Sequence, residues 1–253
     1  SLEDMAELLG ALAEFIRATR HGGVFSEFFI DTSGVPPDQV SLYVGNILRD
    51  RKKPGIFPRE GRQLAMGAAG AVLQNLIAPV VGHLERKGSQ LQFFERVSLN
   101  GRVPGSVSTV SVAKAVLALR SLRRALEGDP DVPESLRARF ADMDLGIQGV
   151  ATVLGAQEQC PDGGFNERIG GTCPPLGGFP GVDTRRLEST VLAMRVMMVA
   201  YTDYPSFRNL LIKLSIRNAW TFTDGFWRPG SAIPAELHGV PAQAVPASRL
   251  WAL

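Results

Sequence analysis

The chain has 253 residues, of which 45% are hydrophobic and 21% are charged, and its formal net charge is +2. This is the composition of an ordinary folded protein, so it excludes an intrinsically disordered chain. Every apolar run is interrupted before the roughly 18 residues of a membrane-spanning helix, and the acidic start SLEDMAELLG does not resemble a secretory signal.

Helical spacing of apolar residues dominates the chain. Over residues 2–18, large apolar side chains recur three or four positions apart with acids between them, which predicts an amphipathic helix that ends at RHGG. Further helices are predicted in this order: around VFSEFFI, from Pro36 onward, about 62–86, 106–127, from about 131, 184–204 and 206–222. The alternation typical of strands is nearly absent, so we predict an all-α protein.

Cysteine and histidine usage predicts neither a disulfide framework nor a metal site. Cys160 and Cys173 are the two cysteines, which indicates a reducing compartment with free thiols, although the pair could still bond. His21, His83 and His238 are scattered without metal-ligand spacing. No phosphate-binding glycine loop and no nucleophile motif is present, so we expect no cofactor.

Positive charge is concentrated in ILRDRKKPGIFPREGR, residues 47–62. Six basic and two acidic residues give this segment +4, in a chain whose total is +2. Arginine forks match phosphate oxygens, and glycine lets backbone amides approach them, so the pattern favours nucleic-acid binding. The candidate phosphate-binding residues of this segment are Arg49, Arg51, Lys52, Lys53, Arg59 and Arg62.

Further basic residues follow along the chain. Lys114 lies among small and apolar neighbours in VSVAKAVLAL, so its charge must extend to solvent, pair with an acid or meet an anion. Arg185, Arg186 and Arg208 complete the candidate RNA-binding set, whereas Arg120–Arg124 are assigned to a solvated helix face. Aromatic rings near these groups could stack on unpaired bases: Phe57, Phe93, Phe94, Phe207, Trp220 and Trp227.

One short stretch favours an enzyme. GAQEQCPDGGF, followed by a helix, resembles the Q…DGGF turn of terpene cyclases and protein prenyltransferases, which are α/α toroids. The resemblance covers about one turn, and neither the repeated turns nor the Asp-rich box of those enzymes is present. DGG is also good turn chemistry in any protein, and we weigh this simpler explanation above the toroid.

The order of segments resembles the nucleocapsid proteins of phlebovirus-like (phenuivirus- and tenuivirus-type) RNA viruses, which share a core with coat proteins of flexible filamentous plant viruses. LRDRKKP resembles the basic T-R-G-N-K-P stretch of the RNA groove, and STVSVAKAVLAL resembles an L-S-R-V-A-x-x-L helix with Lys114 displaced by two positions. YPSFRNL resembles a P-x-L-R turn that places Arg208 at the groove. RNAWTFTDGFW resembles A-F-D-F-x-D-G, with Thr221 and Asp224 at the two acidic positions.

This resemblance implies two helical lobes with an RNA-binding groove between them. It divides the chain into an N-terminal helical arm (1–22), an N-terminal lobe (23–128), a C-terminal lobe (129–238) and an extended tail (239–253). The implied function is sequence-independent encapsidation of single-stranded RNA, without enzymatic activity or membrane insertion, in the virion and the host cell cytoplasm. A viral polymerase is a further expected partner.

The arm is expected to join subunits. Each subunit would lend residues 1–22 to the next, which gives a ring or a filament, and docking on the chain's own body is the alternative. The residues expected at this contact are Met5, Leu8, Leu9, Leu12, Phe15 and Ile16. Two other functions stay open: an α/α-toroid enzyme acting on isoprenoid substrates, and an all-α structural subunit of a larger assembly.

Overall fold

The structure is a computed structural model that describes residues 2–20, 32–49, 59–82, 107–174 and 184–224, together with six short strands. Side chains are described over 2–20, 32–46, 61–76, 107–174 and 186–224. The segment VFSEFFI, which was predicted to be helical, lies outside the described residues.

Eight α-helices form the described part of the chain. Their bounds are α1 Leu2–Ala18, α2 Val40–Arg49, α3 Arg59–Gly82, α4 Thr109–Leu126, α5 Glu134–Arg137, α6 Phe140–Val153, α7 Thr184–Asp203 and α8 Leu210–Asp224. A π-helical turn, Leu154–Glu158, continues α6, and a 3-10 turn, Pro205–Phe207, connects α7 to α8. The helical character predicted from the sequence is confirmed for these residues.

Three short antiparallel hairpins accompany the helices. They pair β1 (Glu85–Lys87) with β2 (Gln90–Gln92), β3 (Phe94–Ser98) with β4 (Gly101–Pro104), and β5 (Glu236–Leu237) with β6 (Val240–Pro241). The registers place Arg86 opposite Leu91, Val97 opposite Arg102 and Leu237 opposite Val240. The helix predicted to reach Arg86 therefore ends at Gly82, and Arg86 lies in a strand.

Local sequence explains the limits of α4. The Ser108 hydroxyl accepts a hydrogen bond from the Ser111 amide at 3.3 Å and caps the first turn. At the other end, Gly128 has φ +64°, which a glycine adopts without steric cost, and the chain turns away from the helix axis there. Between these limits, Val112, Val116 and Leu119 point into the core.

Three helices, α1, α4 and α7, form an inner layer and run in the same direction. Near their first turns, Lys114 of α4 pairs with Glu3 of α1. Near their last turns, Arg20 donates to the carbonyls of Glu127 and Gly128 at 3.1 and 2.9 Å. At the same end, Arg120 and Arg124 of α4 donate to Asp203 of α7.

Three further helices, α3, α6 and α8, pack on this layer and run in the opposite direction. Arg62 at the start of α3 pairs with Asp129, just beyond the end of α4. Phe140 at the start of α6 lies under Arg123 near that same end. Each inner helix thus packs against the outer helix that follows it, α1 with α3, α4 with α6 and α7 with α8.

One cluster of buried side chains extends from α1 to α8. Leu9, Met66, Leu119, Ile147 and Ala219 all belong to it. Leu126 and Val132, on either side of the predicted boundary at 128/129, are both buried in the same cluster, so the described helices other than α2 contribute to one core.

Cys160 and Cys173 form a disulfide, with their Cα atoms 5.5 Å apart. The expectation of two free thiols is therefore wrong. Their spacing in sequence gave no reason to pair them. The turn between Cys160 and Phe165 reverses the chain, and this reversal brings the two thiols together.

Candidate functional site

A concave surface lies between α1 and α7, on the face of α4 away from the outer layer. We call it the inner groove. Its volume is about 310 Å³, and its lining residues are Ala6, Glu7, Gly10, Lys114, Leu117, Ala118, Ser121, Glu188, Leu192 and Arg195. Lys114, Leu117, Ala118 and Ser121 are spaced three or four apart, so they form one stripe of α4.

Small residues leave the space that forms this groove. Ala6 and Gly10 of α1 face Ala118 of α4, so no large side chain fills the gap between α1 and α7. A Cβ atom added to Gly10 would meet nothing within 4 Å. With Leu117 and Leu192, these residues give the groove an apolar floor suited to a hydrocarbon.

Two cations line the inner groove, Lys114 and Arg195, and they differ in their acidic partners. Lys114 pairs closely with Glu3 and lies 3.5 Å from Glu7. Burial lowers the pKa of Lys114, but the bond and charge of Glu3, together with the charges of Glu7 and Glu188, raise it more, so the net pKa is above its ordinary value. Arg195 is exposed, and among the described side chains it has no acid within ion-pair distance. Arg195 is therefore the groove cation that can bind an anionic group.

The Q…DGGF stretch forms a tightly bonded turn, Gln159–Phe165, that joins α6, α7 and α8. The Gln159 side-chain amide donates to the carbonyls of Gly163 at 3.0 Å and Ser215 at 2.8 Å. Arg186 donates to both Asp162 oxygens, at 2.9 and 3.0 Å. Phe165 is completely buried, and its amide donates to the Thr190 hydroxyl at 2.9 Å.

The two glycines of this turn are required by its packing. Gly163 has φ +89°, and a Cβ atom there would overlap the carbonyl oxygen of Asn218. A Cβ atom on Gly164 would lie 2.7 Å from the Phe222 ring and 2.8 Å from Arg186. Each defining residue of the motif thus has its own tertiary contact, which simple turn chemistry does not require.

Three predicted RNA-binding residues have acidic partners inside the protein. Arg62 is buried and pairs with Asp129 and, at 3.0 Å, with Asp131. Lys114 pairs with glutamates of α1, and Arg186 with Asp162. These charges hold helices together, so we leave all three out of the proposed RNA surface.

The remaining predicted basic residues are less constrained by the structure. Arg208 is exposed and donates to the carbonyls of Tyr201 and Thr202 at 3.2 and 3.0 Å, where it caps the end of α7. The side chains of the others lie outside the described residues: Arg49, Arg51, Lys52, Lys53, Arg59 and Arg185. Their predicted role stays a prediction.

Arg120–Arg124 were predicted to lie on a solvated helix face. In the structure the three arginines of that segment each lie within ion-pair distance of an acidic residue. Arg120 and Arg124 donate to Asp203 at 2.7 and 2.6 Å. The Arg123 guanidinium lies 4.2 Å from the centre of the Phe140 ring and 3.6 Å from Asp144. They line a second cavity of about 310 Å³, in which three acidic residues balance the three arginines.

The predicted subunit-contact residues of α1 pack on the same chain. Leu9 and Ile16 are fully buried, and Met5, Leu12 and Phe15 pack against the core. Leu8 is 51% exposed. In this single chain α1 therefore docks on its own body, which is the alternative to arm exchange.

Sequence reasoning missed the inner groove, including Gly10, Ala118, Leu192 and Arg195. The signal available was the small pair Ala6 and Gly10, four apart on one stripe of the helix, which marks a face with space beside it. The neighbouring helix could not be identified without the fold.

The comparisons with known proteins give no identity. No family model, no curated protein and no solved structure matches this chain. Among the residues that the structure describes, no helix is long and apolar enough to cross a membrane, and no group of three metal-binding side chains is found.

Proposed function

We propose that this protein is an α/α-toroid-type protein that binds an elongated apolar ligand with an anionic end, of the isoprenoid class. The observation that carries the proposal is the inner groove, with its apolar floor and with Arg195, which has no acidic partner among the described side chains. A volume of about 310 Å³ is at the lower end of the range of small-ligand sites, which is roughly 300–1,000 Å³.

Two features of the fold support the toroid class. Parallel inner helices alternate with antiparallel outer helices, as expected for a toroid built from helical hairpins. The Gln159–Phe165 turn, whose sequence resembles that of toroid enzymes, fixes the last of these hairpins through Asp162 and Arg186. The proposal concerns binding, and the prediction that the protein is not an enzyme stays a prediction.

Filling the groove provides the test. Gly10→Leu places a side chain in open space and replaces a helical glycine, so the fold should be kept. Gly67→Leu is the matched control, because Gly67 is also helical, has no atom within 4 Å of an added Cβ, and lies on α3 away from the groove. The probe is farnesyl diphosphate in equilibrium dialysis, with farnesol and inorganic diphosphate as separate arms.

We expect the natural chain and Gly67→Leu to bind farnesyl diphosphate equally, and Gly10→Leu to bind at least about tenfold more weakly, a loss of about 1.4 kcal/mol. Arg195→Ala should weaken the binding of farnesyl diphosphate and leave the binding of farnesol unchanged. Absence of binding, or equal binding by both leucine variants, contradicts the proposal.

The second candidate function is sequence-independent binding of single-stranded RNA. The RNA would lie between two lobes of a protein that forms an oligomer. Lys213 and Arg217 are exposed on α8 without an acidic partner among the described side chains, and Trp220 is 62% exposed one turn further on. Cations beside an exposed ring are typical of single-strand binding surfaces, because phosphates pair with the cations and bases stack on the ring.

A labelled poly-U strand at low salt tests this second candidate. Lys213→Ala/Arg217→Ala should weaken binding and lower the salt slope by roughly one unit per lost phosphate contact. Arg137→Ala/Arg139→Ala is the charge-matched control, since Arg137 is exposed, Arg139 is half-buried, and each pairs with an acid three residues away. Equal losses in the two variants, or no binding at all, would exclude the α8 surface.

A further inference from the structure

The outward face of α8 is unusually apolar for a solvated surface. Leu210 is 69% exposed, Leu214 is 40% exposed, and Lys213 and Arg217 lie on the same stripe. This stripe is opposite the buried Ile212, Ser215 and Ala219. We call Leu210, Lys213, Leu214, Arg217 and Trp220 the α8 outer face. Single exposed leucines are common, but several large apolar side chains together on one helix indicate a contact surface.

The outward face of α1 has complementary character. Asp4, Glu7, Leu8, Ala11 and Glu14 are exposed along one stripe, which we call the α1 outer face. Over its length α1 has four acidic residues and one basic residue, a sum of −3. Over its length α8 has two basic residues and one acidic residue, a sum of +1. On the α1 outer face, Glu7 lies 3.5 Å from Lys114 and Glu14 pairs with Arg17 of the same chain. The face keeps an acidic excess over these cations, so it attracts the two cations of the α8 outer face.

The two faces lie at opposite edges of the helix array. Within the inner layer α4 packs between α1 and α7, and α8 packs on α7. The described hairpins form an open arc of the proposed toroid, because α8 does not pack on α1 or α3 as it does on α7. An open arc has an edge at each end, and such edges accept another hairpin with the same packing geometry. A second copy of the chain presents the complementary edge.

We propose that the α8 outer face of one copy binds the α1 outer face of a second copy. Because the two surfaces differ, the contact is head-to-tail and repeats from copy to copy unless it closes into a ring. No exchange of α1 is needed, since α1 keeps its buried contacts with its own α4. The proposed contact needs no ligand in the inner groove, although Glu7 lies at the border of both surfaces.

The test uses the full chain after nuclease treatment and measures mass against concentration by sedimentation. Lys213→Glu/Arg217→Glu and Glu7→Lys/Glu14→Lys should each be monomeric, with dissociation constants raised by at least about tenfold because like charges then face each other. Mixing the two variants brings opposite charges together at both junctions, the native faces in one and the two reversed faces in the other. The mixture should therefore associate although neither variant associates alone.

Two leucine-to-glutamate variants, one on the α8 outer face and one away from it, and a fold control complete the design. Leu214→Glu should also give a monomer, whereas Leu145→Glu, at a leucine of α6 that is 57% exposed, should associate like the natural chain. Circular dichroism establishes that each variant is folded. A natural chain that is monomeric, association that is lost on nuclease treatment, or a variant mixture that stays monomeric would each overturn the proposal.

Discussion

Asp162 and Arg186 are joined by two nearly parallel hydrogen bonds of 2.9 and 3.0 Å, with the guanidinium almost completely buried. The same guanidinium lies 5.1 Å from the centre of the Phe222 ring on α8. One arginine therefore links the turn after α6, the first turns of α7 and the last turns of α8. A charge in this position stabilises the fold only while its acidic partner is present.

Asp162→Asn should lower the free energy of unfolding by about 2–3 kcal/mol, because it leaves the Arg186 charge buried without an anion. We place the loss below that of a fully buried pair, since the Asp162 side chain keeps 30% of its exposure. Urea denaturation measures the change. Asp142→Asn removes the half-exposed partner of Arg139 and should cost less than about 1 kcal/mol. Equal losses would contradict the role of burial.

Acid should weaken the fold through Asp162 and Asp203. Burial alone raises the pKa of each, but bonds from Arg186 and Gly164 to Asp162, and from Arg120 and Arg124 to Asp203, lower it more. Both pKa values are thus below the unfolded value of about 3.9. The stability they contribute is complete above that pH and is lost as the pH falls through the lower, folded pKa.

Urea midpoints measured from neutral pH downward provide the check. The free energy of unfolding should decline below about pH 4, and Asp162→Asn should show a shallower decline than the natural chain. An unchanged slope in this variant would mean that other carboxyls dominate the acid response.

Gly163→Ala should destabilise the protein by about 3 kcal/mol, because backbone strain adds to the overlap with the Asn218 carbonyl. Gly170→Ala is its control. Gly170 also has a positive φ, +74°, but an added Cβ there meets nothing within 4 Å, so the cost should be about 1 kcal/mol. Thermal unfolding monitored by circular dichroism separates the two, and identical shifts would argue against the overlap.

Reduction of the disulfide between Cys160 and Cys173 should lower the free energy of unfolding by about 3 kcal/mol, as expected for a disulfide that closes a loop of this length. Cys160→Ser/Cys173→Ser should match the reduced natural chain and should not respond to a reductant. Alkylation of the native chain without a reductant should label no thiol. Labelling of both cysteines would restore the original expectation of free thiols.

The helices were predictable because their signals are local. The apolar spacing of residues 2–18 predicts α1 within one residue of its observed end, and the 184–204 segment matches α7 closely. Pairing of Cys160 with Cys173 depends on a chain reversal that local patterns do not encode. The short hairpins near 85–104 also went unpredicted, since strands of three to five residues are too short to show alternation.

The site was less predictable than the fold. Charge counting marked Arg62 and Arg186 as candidate phosphate ligands, but their acids lie 67 and 24 residues away in sequence. Whether a cation is paired or available is a tertiary property, and a window of neighbouring residues cannot report it. The Q…DGGF motif was visible in the sequence, but the contacts of Gln159 and Gly163 in the fold are what favour it over an ordinary turn.

Ser215 and Gly155 determine how the last helix can move. The Ser215 hydroxyl donates to the Gly155 carbonyl in the π-helical turn at 2.8 Å, while the Ser215 carbonyl accepts from Gln159. A Cβ atom on Gly155 would lie 2.5 Å from Ile212, so the two backbones are in close approach. Sliding of α8 along α6 by one residue would break both bonds at once. We therefore expect α6 and α8 to move together as one rigid body. Any separation of the helices must occur between other pairs.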